Sequence, residues 1–244
     1  MADGVAYSIV IPSYLEEENL RVLLPRLTAV ASKLAGGAEI VIVDTAQPLD
    51  NTAAVCNEHG VRYVNRRTTN SFGDAVRTGI DAARGEWTIF MDADGSHAPE
   101  FIPNLLAELP QHDVVIASRY VRGGNTDNSA LLVFMSRVLN WTYSIVLNID
   151  CADVSNSFKV YRTDLLKRLK LRCHNFDIVE EILLRVLRQN RGVRIKEIPF
   201  TFRSRMFGRT KRNLVLFMLT YLFTMIRLRF FSVPDDKDAD GEKR

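Results

Sequence analysis

The stretch WTIFMDADGSHAPE (residues 87–100) decides the fold, because an apolar run within it ends in two carboxylates, Asp92 and Asp94. An unpaired buried charge costs several kcal/mol, so the carboxylates are expected where a buried strand leaves its sheet. Side chains two residues apart on a strand point to the same face. The stretch therefore predicts a buried strand that ends with both carboxylates facing one crevice.

Strand-like and helix-like segments alternate over the first 120 residues. Short apolar runs rich in β-branched residues are typical of strands covered on both faces, and the further ones read YSIVIPS, AEIVIVD, VRYVN and DVVIASR. Helical patterns lie between the strands and cover Glu16 to Leu34, Thr52 to His59, Asp74 to Arg84 and Pro99 to Leu109. This order predicts an α/β domain around a mostly parallel sheet, with its ligand beyond the carboxyl ends of the strands.

The pattern changes after residue 128. SALLVFMSRVLNWTYSIVLN and Asn175 to Gln189 indicate helices, and VRIKEIPFTF indicates a further strand. A very apolar run of 13 residues covers Leu214 to Ile226, and we expect no apolar run to reach the roughly 18 residues that span a bilayer. The sequence thus predicts one domain over residues 1–211, an amphipathic helix over 212–231 and a disordered charged tail over 232–244.

The net charge of +3 conceals an asymmetry along the chain. Residues 159–231 hold 18 lysines and arginines against 5 acidic residues, so this region carries +13 and the rest of the chain −10. A basic region of this kind indicates a phosphate-rich partner. Because no nucleic-acid-binding module with interleaved basic and aromatic residues is present in the sequence, that partner is not expected to be a nucleic acid.

The three cysteines are scattered and form no CxxC pair, which argues against a zinc site and favours a reducing compartment. The first residues, MADGVAYSIV, run directly into a predicted strand, so no secretory leader is expected. The four histidines lack HxxxH spacing and are expected at the surface or in packing positions. Together these features predict a cytoplasmic protein.

Two carboxylates at the end of a strand indicate a site for a hard cation. Oxygen ligands at this spacing suit Mg²⁺ or Mn²⁺, which would itself bridge the phosphates of a nucleotide. The alternative is a polar turn in which Asp94 and Gly95 begin a loop. The spacing alone leaves both interpretations open, because an Asp-x-Asp motif is short and common.

The wider sequence resembles glycosyltransferase family 2, and within it the dolichyl-phosphate (polyprenyl-phosphate) mannose synthases. The resemblance covers about Tyr7 to Lys211 and rests on motifs in the family's order. The matching segments are IPSYLEEENL, GDAVRTGIDAARGEWTIFMDADGSH, DVVIASRYVRGG, DVSNSFKVYRTDLL and IPFTFRSRMFGRTK. Several motifs in order are far more specific than any one of them alone.

The resemblance implies a nucleotide-diphospho-sugar transferase (GT-A) fold, a GDP-mannose-type donor and a bound Mg²⁺ or Mn²⁺. It implies metal or ribose contacts for Asp92, Asp94 and Ser96. Donor contacts on the base side are implied for Pro12, Tyr14, Glu16 and Asp44. Basic residues that face the phosphates are implied to be Arg119, Arg137, Arg205 and Lys211. Arginine suits this role because its planar fork binds phosphate oxygens in pairs.

The sequence departs from the family on the base side. Where relatives read VDDxSxDGT, this chain reads VDTAQPLDNT (Val43 to Thr52), so Thr45 replaces the second acidic residue. The asparagine of the motif PxYNE is replaced by Leu15. The identity of the nucleotide base is therefore open between GDP and another nucleoside diphosphate.

The resemblance implies inverting transfer of a hexose to a polyprenyl or dolichyl phosphate. Such an acceptor has a second pKa near ~6 and is mostly dianionic at neutral pH, so it scarcely needs a general base. A glycan hydroxyl does need one, and the sequence candidates are Asp177, Glu180 and Glu181. A glycan hydroxyl as acceptor and a non-catalytic nucleotide-sugar-binding relative are the alternatives.

A lipid phosphate must be met at a membrane. The run Leu214 to Ile226, flanked by lysine and arginine, is roughly 20 Å of helix and too short to span a bilayer, but it suits the interface. We expect peripheral association with the cytoplasmic face of a membrane. Alternatively, this apolar run packs against the domain itself or against a second subunit of a homo-oligomer. The oligomeric state is therefore left open.

Overall fold

The computed structural model describes residues 4–190, 192–208, 223–226 and 229. The strands are β1 (Tyr7–Pro12), β2 (Ala38–Asp44), β3 (Arg62–Asn65), β4 (Trp87–Phe90), β5 (Val114–Ser118), β6 (Asn125–Thr126), β7 (Lys159–Arg162), β8 (Ile195–Pro199) and β9 (Thr201–Phe202). The helices are α1 (Glu17–Ala31), α2 (Thr52–Glu58), α3 (Phe72–Ala82), α4 (Ile102–Leu106), α5 (Ala130–Leu147), α6 (Thr163–Lys167) and α7 (Ile178–Gln189). A 3₁₀ turn over Pro99–Phe101 precedes α4.

Seven strands form one sheet in the order β3-β2-β1-β4-β7-β5-β8. Strand β7 runs antiparallel to β4 and β5, and the other neighbours in this sheet pair in parallel. The short strands β6 and β9 form a second, parallel pair. The predicted α/β architecture with a mostly parallel sheet is confirmed.

Strand β7, like the short elements β6 and α6, was missed by the sequence patterns. Its four residues, KVYR, begin and end with basic side chains, which conceal a buried strand. Lys159 is nevertheless 1% exposed, because its Nζ donates a hydrogen bond to the Val154 carbonyl at 2.7 Å. The predicted strand VRIKEIPFTF is two strands, β8 and β9, and the chain changes from one sheet to the other at Phe200.

Each face of the large sheet packs against its own apolar core, as the continuous apolar strands predict. Along β1, Ile9 and Ile11 point into the core that contains α1 and α4, whereas Val10 points into the core that contains α3 and α7. This alternation follows from the two-residue period of a strand. Both faces are covered, so a ligand must approach an edge of the sheet.

Helix α5 lies where the sequence pattern predicted a helix, but it contradicts the expectation about apolar length. It is 18 residues long, and among the described residues it is the helix that is long and apolar enough to cross a membrane by length and composition. The expectation that no run reaches this length was wrong, because one interior arginine, Arg137, does not offset seventeen mostly apolar neighbours. Only 22% of the helix is buried. Its exposed apolar side chains are Leu131, Leu132, Phe134, Val138, Trp141 and Ile145.

The predicted C-terminal helix lies mostly outside the described residues, as does the predicted tail. Residues 223–226 are helical and pack on the domain by one side. The Thr224 hydroxyl donates to Asp177 Oδ2 at 2.6 Å, and Met225 is buried in the α3 and α7 core. The other side is exposed, since Phe223 and Ile226 are 68% and 45% accessible. The proposed boundaries of the three segments stay predictions.

Candidate active site

The candidate site lies at one edge of the large sheet, where β1, β2 and β4 end at their carboxyl sides. Strand β4 ends at Phe90, and the Asp-x-Asp segment follows directly. Because β7 is antiparallel to β4, with Lys159 opposite Phe90, the loop 156–158 before β7 reaches the same edge. The segment after β8 also starts at this edge, since Pro199 pairs with Ser118 at the end of β5.

The two carboxylates of the motif are each held by a serine. Asp94 Oδ1 accepts hydrogen bonds from the Ser96 backbone N–H at 3.0 Å and from its hydroxyl at 2.6 Å. Asp92 Oδ1 accepts from the Ser157 hydroxyl at 2.9 Å. This arrangement leaves one oxygen of each carboxylate, Oδ2, outside these bonds. The role of Ser96 as a metal contact stays a prediction, and its observed contact is to Asp94.

The donor set fits a magnesium or manganese ion that is shared with a substrate. Within the described ranges, no group of three or more His, Cys, Asp or Glu side chains is placed to form a protein-only cage. Mg²⁺ usually binds through one or two carboxylates plus substrate phosphates. Asp92 and Asp94 would hold the ion together with phosphate oxygens of the donor, and the ion would neutralise charge on a leaving diphosphate.

His97 holds the Asp-x-Asp motif in place through hydrogen bonds. Its ring is fully buried, and Nδ1 accepts the Asp92 backbone N–H at 2.9 Å. Nε2 lies 3.2 Å from the Asn156 side-chain oxygen, so this network assigns the proton to Nε2. Burial lowers the pKa of His97, which keeps the ring neutral. The expectation of a surface or packing role missed these bonds, although the histidine stands in the matching segment MDADGSH.

A segment over residues 203–208, here called the strap, crosses the motif. The backbone N–H of Met206 donates to the Asp94 carbonyl, and Arg203 N–H donates to the Ser96 carbonyl, at 3.0 and 3.1 Å. Gly95 has a φ of +79°, and a Cβ there would lie 2.5 Å from the Met206 methyl group. Only glycine allows this close approach.

Arg205 on the strap pairs with Glu16, which the resemblance implies on the base side. Both terminal nitrogens of the guanidinium donate to the Glu16 carboxylate, and Nε lies 3.7 Å from Asp94 Oδ2. Glu16 also accepts from Asn19 Nδ2 at 2.5 Å. Burial raises the pKa of Glu16, and the charge of Arg205 opposes this shift. Arg205 therefore reaches the Asp-x-Asp motif, but a phosphate would have to compete with Glu16 for it, and its role at the phosphates stays a prediction.

The other predicted cations have different surroundings. Arg119 forms a forked ion pair with the buried Asp153, at 2.7 and 2.8 Å, and also donates to the Ser155 hydroxyl. The guanidinium carbons of Arg119 and Arg137 lie 4.9 and 5.5 Å from the ring centre of Tyr120. Their phosphate-binding roles stay predictions. Lys211 lies outside the described residues.

Polar atoms without partners collect on the base side of the same edge. Within the described part of the chain, four buried side-chain atoms lack a hydrogen-bond partner here: Ser13 Oγ, Asp44 Oδ1, Thr52 Oγ1 and Arg66 Nε. Asp44 Oδ2 accepts from the Tyr63 hydroxyl at 3.0 Å. Burial raises the pKa of Asp44. Buried polar atoms in proteins are normally paired, so this cluster fits a nucleoside that supplies the missing partners.

Arg66 is a residue that the sequence interpretation did not select. It follows β3, is 4% exposed, and donates to the Ser13 carbonyl, which ties β3 to β1. Its guanidinium carbon lies 5.9 Å from the ring centre of Tyr14. The only signal in the sequence is its position after a predicted strand. Pro12 is the last residue of β1, and its role on the base side stays a prediction.

Both departures from the family adopt defined local structures. Leu15 has a φ of +55°, a left-handed conformation that asparagine tolerates better than leucine. Thr45 is buried, and its hydroxyl donates to the Gln47 carbonyl at 2.6 Å. Where relatives have a second acidic side chain, this chain therefore has a turn that the Thr45 hydroxyl closes.

The three candidates for a general base are buried. Glu181 accepts from the backbone N–H groups of Arg172 and Cys173 and from Arg185 Nε. Burial raises its pKa, but these hydrogen bonds outweigh burial and lower it. Asp177 accepts from Asn175 N–H and from Thr224, and Glu180 is fully buried. Glu181 and Asp177 thus hold backbone and side-chain groups in place.

A mostly parallel α/β sheet with an Asp-x-Asp motif at its carboxyl edge and a basic strap across that motif defines a nucleotide-sugar transferase of the GT-A type. The sequence comparison agrees, since residues 8–170 match the family described as Glycosyl transferase family 2. This match covers more than half of the chain, and the chain belongs to that family.

Two curated relatives are similar over 84% of this chain. One, from Micrococcus luteus, is an undecaprenyl-phosphate mannosyltransferase, 31% identical over 220 residues and covered over 86% of its length. The other, from Pyrococcus furiosus, is a dolichol-phosphate mannosyltransferase, 29% identical over 211 residues. The chain spans 58% of the Pyrococcus protein. These identities do not fix the donor and acceptor of this chain.

Solved structures with the same fold include glucosyl-3-phosphoglycerate synthase from Mycobacterium tuberculosis. Its complex with Mn²⁺, UDP and phosphoglyceric acid superposes with a TM-score of 0.70 at 18% identity, over 96% of this chain and 81% of that one. Its complex with Mg²⁺ and UDP superposes with a TM-score of 0.69, also at 18% identity, over 96% and 82% of the two chains. At this identity the likeness establishes the GT-A fold.

Proposed function

We propose that the protein transfers a hexose from a nucleoside-diphosphate sugar to a polyprenyl or dolichyl phosphate, with inversion and with Mg²⁺ or Mn²⁺. The observation that carries the proposal is the meeting of Asp92, Asp94 and Arg205 at the carboxyl edge of the sheet. Two carboxylates for a metal and a guanidinium for phosphate oxygens are what a leaving diphosphate requires.

The donor is proposed to be GDP-mannose. Two relatives named as mannosyltransferases of polyprenyl-type phosphates support the sugar. The buried polar atoms around Asp44 support a nucleoside at the adjacent position. The solved neighbours hold UDP, and the turn at Thr45 departs from the family, so a uridine donor is the alternative that the experiment below includes.

A phosphate acceptor agrees with the environment of the buried carboxylates. A hydroxyl acceptor needs a base within hydrogen-bond reach, whereas a dianionic phosphate does not. Glu181 is fully buried and saturated by backbone and arginine donors, which makes it a poor base. Arg119 and Arg137, which flank Tyr120, are proposed to bind the acceptor phosphate.

The acceptor is proposed to be met at the cytoplasmic face of a membrane, with α5 as a contact surface beside the C-terminal region. The exposed fractions of Leu131, Phe134 and Trp141 on α5 are 66%, 65% and 66%. A continuous apolar face of this size is unusual on a protein surface in water. Arg137 on the same helix supplies a positive charge for anionic head groups, and Phe223 adds a second exposed apolar group.

The reaction is tested with a donor panel. The protein is incubated with Mn²⁺ and GDP-mannose, UDP-glucose or UDP-galactose, with and without a short polyprenyl phosphate, and nucleotide release is measured. We expect release that requires both the lipid phosphate and the metal. Transfer to soluble sugars without lipid phosphate would favour a hydroxyl acceptor, and nucleotide binding without any release would favour a non-catalytic relative.

The membrane contact is tested with anionic vesicles. The double change Phe134→Ser and Trp141→Ser should weaken vesicle binding strongly, and high salt should weaken it further because the charged groups are screened. A matched control is Val22→Ser, which alters an exposed apolar residue on α1. Equal vesicle binding by the wild type, the double variant and Val22→Ser would reject α5 as the membrane contact. Truncation before Asn213 separates the contribution of the C-terminal region.

A further inference from the structure

We propose, on the basis of the proposed function, that His97 and Asn156 are positioning residues that set the affinity of the Asp-x-Asp motif for its divalent cation. Neither residue is a ligand in this proposal. Their hydrogen bonds orient the peptide that carries Asp92, and through it the carboxylate that would hold the ion.

Three contacts converge on Asp92 from the loop after β4 and the loop before β7. Its backbone N–H donates to His97 Nδ1, its Oδ1 accepts from Ser157 at 2.9 Å, and its Oδ2 lies 3.9 Å from His97 Nε2. The first contact fixes the backbone and the second fixes the side chain. The carboxylate therefore has a defined direction before any ligand binds.

The imidazole is itself held by aromatic neighbours and at its far nitrogen. The ring stacks on Phe158 with 4.8 Å between ring centres, and Phe202 meets it edge-on at 5.5 Å. Nε2–H donates to Asn156 Oδ1, while Asn156 Nδ2 donates to the Ala117 carbonyl at the end of β5. A chain of polar contacts thus connects β5, the loop before β7 and the motif after β4.

These hydrogen bonds orient the Asp92 peptide, which apolar packing alone would not do. An apolar side chain of similar size would fill the same space, since the neighbours are aromatic rings. It would leave the Asp92 N–H without its acceptor and remove the imidazole donor from Asn156 Oδ1, so the peptide would be free to turn. Partners that orient metal ligands typically change metal affinity by 10- to 100-fold when they are lost.

The test measures Mn²⁺ binding directly, by electron paramagnetic resonance, in the presence of GDP or UDP. In His97→Asn, the amide oxygen replaces the Nδ1 acceptor. In His97→Gln, the longer amide retains a donor toward Asn156 and loses that acceptor. We expect the His97→Gln and His97→Leu variants to bind Mn²⁺ about 10-fold more weakly than the wild type, and His97→Asn to recover most of the loss. His112→Leu, at the other edge of the sheet, should change nothing.

The outcomes separate the inference from the proposed function. Wild-type-like Mn²⁺ affinity in His97→Gln would overturn the inference and leave the proposed function intact. Equal weakening in His97→Asn and His97→Gln would overturn it too, because the acceptor would then not matter. If the wild type binds no Mn²⁺ with either nucleotide, the metal-dependent function fails together with the inference. His97→Asn and His97→Gln are both polar and near in size to histidine, so the comparison does not depend on the folding of His97→Leu.

Discussion

The two halves of the site differ in how far the protein satisfies its own polar groups. On the diphosphate side, Asp92 and Asp94 each accept hydrogen bonds from a serine, and the strap is bonded to the motif. On the base side, Ser13 Oγ and Asp44 Oδ1 are buried and lack hydrogen-bond partners among the described residues. In the proposed function, the first half is built in advance and a bound nucleoside would complete the second.

This difference suggests that the base side contributes to nucleotide affinity and the diphosphate side to the rate of the proposed transfer. An unsatisfied buried group costs about 1 to 3 kcal/mol, so a nucleoside that pairs with Asp44 and Ser13 would recover part of a cost already present in the folded protein. The diphosphate half gains no such energy. Its bonds hold charges in position for a leaving group, which is how preorganised sites lower a barrier. Changes on the two sides should therefore affect different quantities.

The largest effect is expected from Asp94→Asn. The change keeps the size of the side chain and removes the charge that would hold the metal, so the transfer rate should fall about 100- to 1000-fold. Nucleotide release with Mn²⁺ and saturating donor measures it. Asp164→Asn, in an exposed surface ion pair, is the control. Full activity of Asp94→Asn, or of the wild type in excess EDTA, would remove the metal from the mechanism.

The next effect is expected from Arg205→Lys. Lysine keeps the charge but cannot bind two oxygens in one plane, so turnover should fall about 30-fold while the fold is kept. Arg26→Lys is a matched control, because Arg26 forms a comparable forked pair with Glu100 on the exposed surface. Unchanged turnover in both Arg205→Lys and Arg205→Ala would place this residue outside the reaction and make it a partner of Glu16 only.

On the base side, Asp44→Asn should stabilise the free protein and weaken nucleotide binding. Burial raises the pKa of Asp44, so the folded state binds its proton more tightly than the unfolded state. The stability of the wild type should then fall as pH rises from about 4 through this raised pKa. We expect the Asp44→Asn protein to melt about 2 to 4 °C higher at neutral pH, with a smaller difference at pH 4.

Thermal unfolding with and without GDP or UDP measures both parts of this prediction. The nucleotide should raise the melting temperature of the wild type more than that of Asp44→Asn. Asp113→Asn, at the opposite edge of the sheet, is the control. A lower melting temperature for Asp44→Asn without nucleotide would mean that the charge of Asp44 is satisfied, and the contrast between the two halves would disappear.

The smallest effect is expected at Leu15. Its φ of +55° costs leucine about 1 to 2 kcal/mol relative to glycine, and the side chain is 43% exposed, so little packing is lost on replacement. Leu15→Asn should raise the melting temperature by about 2 °C, and Leu15→Ala should not raise it. If both variants are less stable than the wild type, the leucine side chain stabilises the loop through its contacts.

Sequence patterns were sufficient where the signal is local and periodic. Apolar runs predicted the parallel strands. The two-residue period of a strand does not apply to Asp92 and Asp94, because β4 ends at Phe90 and both carboxylates lie in the loop after it. The patterns missed β7, where the charge of Lys159 is satisfied by the carbonyl of Val154 in the preceding loop, a contact that no periodicity predicts. They did predict a helix at α5, but not that it is long and apolar enough to cross a membrane by length and composition.

The family, the fold class and the candidate residues for metal and phosphate binding can be inferred from the amino-acid order alone. How those residues pair depends on the folded chain. Arg205 meets Glu16 across 189 positions of sequence, and His97 meets Asn156 across 59. The unsatisfied atoms of Ser13 and Asp44 are also a tertiary property, since an atom lacks a partner only after the chain has closed around it. Periodicity reports which face a residue occupies, whereas hydrogen bonding depends on which distant residue arrives opposite it.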